Sequence, residues 1–436
     1  MKTVSFATLG CKVNQYETEA MANLFKNAGY EVQSFDDICD IYVINTCTVT
    51  GMGERKSRQM INRAHKKNPD AFIAVAGCYS QISPEAAAAL EGVSLVIGTR
   101  DRSRIVELCQ EAMKKSETTV TVGDIMKQRT YEDMWVPSYS DKTRAFVKIE
   151  DGCTEFCTYC IIPYARGPVR SRSMESIVNE VSELAKNGFK EIVLTGIHLA
   201  SYGRDNREYN LLDVIKAIAE IEGICRIRLG SVEPRLLTED FVREISSISK
   251  VCNHFHVALQ SGCDATLQRM NRKYTTAQYK DGIDLLRRYF DNPAIATDIM
   301  VGFPGETEEE FTSSVKFASE LRLADAHVFA YSNRKGTKAD KFPCQLPKHT
   351  KEERSRVMID TLAKSRQDYL TSQIGKKVQV LMEQEIGNGL WEGHMTNYVK
   401  VVIPSDEDLS GKFVDVMTES VQKDFVFGNR VFDNQH

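Results

Sequence analysis

Three cysteines stand within one short stretch, Asp151-Gly-Cys153-Thr-Glu-Phe-Cys157-Thr-Tyr-Cys160. The spacing CxxxCxxC lets each sulfur take one iron of a cubane cluster, and it supplies one thiolate fewer than the usual four. One iron is left open to a ligand from outside the chain. Zinc is the competing reading, but zinc takes four ligands and its CxxC pairs usually come in twos.

A second set of three is spread along the sequence. Cys11, Cys47 and Cys78 lie 36 and 31 residues apart, so no local motif detects them. Each follows an apolar, strand-like run: Ala7-Thr-Leu-Gly-Cys11, Val43-Ile-Asn-Thr-Cys47 and Val75-Ala-Gly-Cys78. In a parallel sheet, residues at the C-terminal ends of strands gather on one edge. These three are therefore expected to form another three-thiolate site with an open position. The competing reading is three small core residues, because free cysteine packs well in apolar interiors. Cys39, at the far end of the strand leading to Cys47, is excluded from that site. Cys109, Cys225, Cys252, Cys263 and Cys344 are read as core or surface thiols.

The elements that must position these residues are legible from hydrophobic periodicity. Val4–Leu9, Ile41–Thr46 and Phe72–Ala76 are short and apolar, as strands covered on both faces are, and they alternate with helical stretches at 17–28 and 53–67. Alternation of this kind predicts a parallel α/β domain over 1–113. Residues 114–140 carry no sustained period and are expected to be a linker. A second βα series occupies 141–372, with strands at 145–150, 191–195, 226–230, 254–259, 294–301 and 326–331. Six units make an incomplete βα barrel whose working face is the C-terminal end of its strands. Over 373–435 short strand-like runs at 377–383, 391–403, 412–418 and 424–431 predict a small all-β barrel.

At 436 residues the chain exceeds what one core supports, in keeping with about three domains. No apolar run reaches the roughly 18 residues of a membrane span, and the first residues lack the pattern of a signal peptide. A cytoplasmic protein is expected, where cysteines serve metals or catalysis rather than disulfides. The net charge of −4 gives no global attraction for nucleic acid, so RNA binding would need local basic patches. Candidates are Arg55, Lys56, Arg58, Arg63, Lys66 and Lys67 after the Cys47 strand, Arg166, Arg170 and Arg172 after the barrel triad, and Arg269, Arg272 and Lys273. From residue 374 on, six Lys and Arg face ten Asp and Glu, which counts against nucleic acid there.

The barrel triad, with an aromatic residue at Tyr159 before its last cysteine, resembles the radical S-adenosylmethionine (SAM) superfamily. The resemblance implies that the open iron chelates SAM and that cleavage of its sulfonium bond yields a 5′-deoxyadenosyl radical, with Tyr159 near the adenine. With both cysteine sets, the whole chain resembles the methylthiotransferases of that superfamily. The phrases that carry the likeness are Thr8-Leu-Gly-Cys-Lys-Val-Asn-Gln-Tyr-Glu-Thr18, Asn45-Thr-Cys-Thr-Val-Thr50, Ala76-Gly-Cys78, Cys160-Ile-Ile-Pro-Tyr-Ala-Arg-Gly167 and Val301-Gly-Phe-Pro-Gly-Glu-Thr307. The family implies two [4Fe–4S] clusters, SAM, a low-potential electron donor and an RNA-holding C-terminal barrel similar to the TRAM domain. The phrase around Cys11 and Leu194-Thr-Gly-Ile-His198 are most similar to the MtaB branch, whose substrate is N6-threonylcarbamoyladenosine in the tRNA anticodon loop. Branches similar to MiaB (isopentenyladenosine) and RimO (a ribosomal-protein aspartate) are the rival readings. A non-catalytic iron–sulfur carrier is the rival from another class. Gly196, Glu233 and Gln260, after the second, third and fourth barrel strands, are candidate SAM contacts, although strand ends and helix caps use the same residue types. A monomer is expected.

Overall fold

The computed structural model describes residues 2–137, 139 and 143–432. The expected boundary at 140/141 and the C-terminal limit at 435 lie outside the described residues.

The first sheet has six parallel strands, β1 (Thr3–Thr8), β2 (Glu31–Gln33), β3 (Ile41–Thr46), β4 (Phe72–Gly77), β5 (Val93–Ile97) and β6 (Thr119–Thr121), in the order β2-β1-β3-β4-β5-β6. All six residues of β3 are buried, as a central strand covered by helices on both faces requires. Helix α1 (Lys12–Asn27) starts directly after Cys11, five residues earlier than periodicity predicts. Helix α2 (Gly51–Lys67) is capped by Thr50, whose hydroxyl accepts from the Gly53 amide, and its last turn carries His65, Lys66 and Lys67. The stretch read as a linker contributes β6. It also buries Ile125, Met134, Val136 and Tyr139.

The barrel wall is an arc of parallel strands: β7 (Arg144–Lys148), β10 (Glu191–Thr195), β11 (Arg226–Leu229) continuing through Gly230 into β12 (Ser231–Val232), β13 (His254–Val257), β14 (Ala294–Val301) and β15 (Asp325–Ala330). A small antiparallel pair, β8 (Glu150–Asp151) and β9 (Arg170–Ser171), brackets the cysteine loop. The large apolar core lies outside the wall, where Ile192, Leu194, Ile227, Leu229, Phe255 and Val257 meet the surrounding helices.

The helix Lys348–Thr371 leads to a closed antiparallel-rich barrel of β16 (Lys377–Gly387), β17 (Leu390–His394), β18 (Lys400–Pro404), β19 (Phe413–Gln422) and β20 (Phe425–Arg430). The run expected at 391–403 is two strands. It breaks at a turn where Met395 and Val399 pair and Tyr398 takes φ +66°. The apolar residues Met395 and Val399 on either side hid that turn.

The docked surfaces are held by a buried charge network. Glu17 on α1 is fully buried and pairs with Arg102, with Arg166 and, at 2.7 Å, with Lys148. Asp151 accepts from Lys148 at 2.6 Å and lies near Arg102, Arg166 and Arg170. These cations depress the Glu17 carboxyl to about 2 against the opposing effect of burial.

Candidate iron–sulfur and substrate site

In the barrel, the cysteine loop is pinned by backbone contacts rather than by regular structure. The Cys153 amide donates to Gly167 at 3.0 Å, that of Thr158 to Met270 at 3.0 Å, and that of Cys160 to Cys157 at 2.9 Å. Gly152 has φ +88°, and a Cβ there would strike the Pro168 carbonyl at 2.1 Å, so the loop closes only with glycine. Arg272 donates to the Cys157 sulfur at 3.2 Å. Tyr159 packs edge-on against Phe303, itself buried in the loop Val301–Gly305.

Beyond the C-terminal ends of the strands, four buried polar atoms have no hydrogen-bond partner among the described residues: Glu150 Oε1, His198 Nε2, Glu233 Oε2 and Gln260 Oε1. Four orphans around one mouth fit a polar ligand that completes them, since unpaired buried groups are costly. Gly196 stands beside them, and a Cβ there would fall 2.7 Å from Glu150 Oε2. Gln260 takes φ +65° and is bonded through its backbone to Asp298 and Met300. Glu233 is bonded to Arg235, which also pairs with Glu155 of the cysteine loop. Glu150 and His198 were not singled out from sequence. Glu150 opens β8, two residues beyond the end of the first barrel strand, a position comparable to those of the three residues that were.

In the first sheet, the pairings Thr8↔Asn45 and Thr46↔Gly77 bring the ends of β1, β3 and β4 level. Cys11, Cys47 and Cys78 are the residues just beyond. A Cβ at Gly10 would stand 3.0 Å from the Cys47 sulfur, so that glycine permits the approach of the Cys11 segment. Asn14 ties two of the ends together, donating to the carbonyls of Leu9 at 2.7 Å and Thr46 at 3.0 Å. Asn45 donates to the Asn14 carbonyl at 3.0 Å. Arg166 donates to the Cys78 sulfur at 3.3 Å and to Asn14 Oδ1 at 2.5 Å. Both asparagines lie inside the cysteine phrases of the sequence, yet only the structure gives them work.

Burial pushes the Cys78 thiol up to about 11 and the Cys160 thiol up to about 12. Such thiols stay neutral unless a cation compensates the thiolate, and bound iron supplies that charge. Among the described residues no three His, Cys, Asp or Glu side chains gather about one point as a single metal ion needs. A cubane takes each thiolate on a separate iron, so its ligands need not converge on one point.

The two sites belong to surfaces docked at strand C-terminal ends. Thr99 donates to the Ala165 carbonyl at 2.5 Å, Gly51 to Ser332 at 3.4 Å, and Arg334 to Thr48 at 2.6 Å while also pairing with Glu54. This docking corrects part of the basic-patch reading. Arg166, Arg170 and Arg172 are buried in the network, and Arg172 pairs with Glu180. Arg269 pairs with Glu310, while Arg272 serves Cys157. None of these five is free for phosphate. Arg63 and Lys67 pair with Asp36, which leaves Arg55, Lys56 and Lys66 exposed on α2 and Arg58 half-buried.

Comparison with known proteins agrees with this geometry. Residues 147–318 match the family model "Radical SAM superfamily", and residues 3–98 match "Uncharacterized protein family UPF0004". The solved structure of the radical SAM methyltransferase TsrM from Kitasatospora setae is similar in fold, with TM-score 0.57 at 14% identity over 76% of this chain and 75% of that one. The protein is thus a radical SAM enzyme, a class that implies a [4Fe–4S] cluster and SAM. Threonylcarbamoyladenosine tRNA methylthiotransferase MtaB of Bacillus subtilis is 42% identical over 95% of this chain and 93% of the relative. MtaB of Aquifex aeolicus is 40% identical over 88% and 93%. A tRNA-2-methylthio-N(6)-dimethylallyladenosine synthase of Clostridium tetani is 35% identical over 95% and 93%. The chain belongs to the radical SAM methylthiotransferase family, on its MtaB branch. Among the described residues no helix is long and apolar enough to cross a membrane.

Proposed function

We propose that this enzyme converts N6-threonylcarbamoyladenosine at position 37 of tRNA to its 2-methylthio derivative. What carries the reading is full-length similarity to MtaB proteins, joined to two three-cysteine sites on docked surfaces. Cys153, Cys157 and Cys160 hold one [4Fe–4S] cluster and leave one iron for SAM. Tyr159, Gly196, Glu233 and Gln260 contact SAM, with Glu150 and His198 completing the set of unpaired polar atoms. Cys11, Cys47 and Cys78 would hold a second cluster, which would supply the sulfur to be inserted. The bound cofactors supply radical chemistry strong enough for an aromatic C–H bond, and the chain orients them and keeps out water. Residues 1–113, 141–372 and 373–435 are the three working units, the last holding RNA. The target base must leave its neighbours to reach this site, which suits an anticodon loop better than a duplex. A low-potential donor delivers the electrons to a monomeric enzyme.

The second reading is isopentenyladenosine, favoured by the 35% identity to dimethylallyladenosine synthases. Nucleoside mass spectrometry of tRNA from cells with and without this protein separates the two. Loss of the 2-methylthio threonylcarbamoyl nucleoside supports the first. Its persistence, with no second enzyme of this type present, rejects the first, and loss of the isopentenyl form supports the second.

A further inference from the structure

A filled βα barrel packs its interior with branched apolar side chains. This lumen is polar. Arg144, Glu191, Arg228, His254, His256, Asp298 and His327 occupy alternate positions on the six strands, on the face opposite the apolar core. Glu191 pairs with Arg144 at 3.2 Å, with Arg228 at 2.9 Å and, further off, with Arg226. His256 meets Asp298 at 3.0 Å and stacks on His327. The floor is Tyr398, from the turn between β17 and β18, which receives Arg144 and Arg228 over its ring at 4.9 and 4.6 Å. His254 lies 5.1 Å from the same ring, and its Nδ1 has no hydrogen-bond partner among the described residues. His256 and Asp298 are only half-buried although they sit inside their strands, His254 at the start of β13 is half-buried too, and His327 is exposed. The lumen is therefore open to solvent.

Lys12 follows Cys11 as the first residue of α1. It is solvent-accessible, yet protein atoms crowd it and the charges of Arg228, Arg144 and His254 act on it. Among the described residues it forms no hydrogen bond or ion pair. Four cations, Lys12, Arg144, Arg226 and Arg228, thus face three carboxylates, Glu191, Asp298 and Glu383, with His256 already on Asp298. A lysine held beside like charges that line a polar channel is matched by an anion from outside the chain.

We propose that this lumen binds the carboxylate-bearing N6 substituent of the substrate base, with Lys12 pairing the carboxylate and His254 meeting its urea or hydroxyl. The assignment rests on the threonylcarbamoyl reading above and explains how it would be enforced. C6, which bears N6, and C2 flank the same ring nitrogen, so holding the substituent fixes the ring edge that carries C2. An apolar isopentenyl group would leave Lys12 and His254 unmatched, which a site built from polar contacts rejects strongly.

The test uses the holoenzyme and a synthetic anticodon stem-loop carrying either the threonylcarbamoyl acid or its methyl ester. For the wild type, kcat/KM should fall about a hundredfold or more from acid to ester. Lys12→Met should lose a similar factor on the acid and treat acid and ester alike, a change in selectivity that a structural role would not produce. Equal use of acid and ester by the wild type overturns the site and leaves the substrate reading intact. Modification of an isopentenyl stem-loop, with the acid untouched, overturns both. The ester comparison needs no variant, so it decides even where Lys12→Met fails to assemble its clusters.

Discussion

In the barrel the three cysteines share one loop between β8 and β9, whereas in the first sheet they come from the ends of three strands, 36 and 31 residues apart. The loop triad is shaped locally, by a glycine that lets the turn close and by amides that bond within the loop or to its neighbours. The sheet triad exists only when β1, β3 and β4 are in register and Asn14 and Arg166 lock the ends. The first should behave as a motif and the second as a product of tertiary structure.

The largest effect that would break this comparison is on SAM cleavage. Replacing Cys153, Cys157 and Cys160 together by Ala should abolish 5′-deoxyadenosine formation and reduce reconstituted iron from about eight to about four per chain, the content of one cubane. Unchanged iron in that variant would remove the loop from the ligand set. Replacing Cys11, Cys47 and Cys78 should spare cleavage of SAM and eliminate methylthio transfer, as assayed on modified tRNA. Full transfer by that variant refutes the sulfur-bearing role.

An intermediate effect sharpens the contrast between local and assembled sites. Glu17→Gln leaves Arg102, Lys148 and Arg166 facing a neutral amide in a fully buried position. Breaking a buried pair by removing one partner costs about 3–5 kcal/mol. The variant should unfold at lower urea and load its sheet cluster poorly, while the loop cluster retains its spectrum. Equal damage to both clusters would show that the two sites share one determinant.

The same contrast explains what was legible in the sequence. Strands Ile41–Thr46, Glu191–Thr195 and Ala294–Val301 are found where periodicity puts them, because both faces are buried and the apolar run has sharp ends. Membership of the family was legible because its phrases surround cysteines. The fates of Arg166, Arg170 and Arg172 were not, since a buried ion network and a solvated basic patch are written with the same residues. Only tertiary structure brings Glu17 and Asp151 to them. The polar lumen was hidden for a related reason: Arg226 and Arg228 on β11 read as ordinary alternation, with nothing local to say that the polar face points into a barrel.

The smallest expected effect concerns RNA. Arg55 and Lys56 follow directly on the first turn of α2, within ten residues of Cys47, and are exposed. Their neighbour Glu54 is already engaged by Arg334, so it does not neutralise them. The C-terminal barrel carries more acid than base, and deleting it would strip Tyr398 from Arg144 and Arg228, damaging the lumen along with any hold on RNA. Charge removal on α2 is the cleaner experiment. Taking away one cation that neutralises a phosphate should flatten the slope of log affinity against log salt by about 0.7–0.9. Arg55→Ala with Lys56→Ala should therefore weaken stem-loop binding severalfold at low salt and lower that slope by about 1–2. SAM cleavage without RNA should be unaltered, because neither side chain belongs to a cluster or to the SAM mouth. An unchanged slope would take α2 off the RNA path and leave the acidic C-terminal barrel as the surface that reads the tRNA.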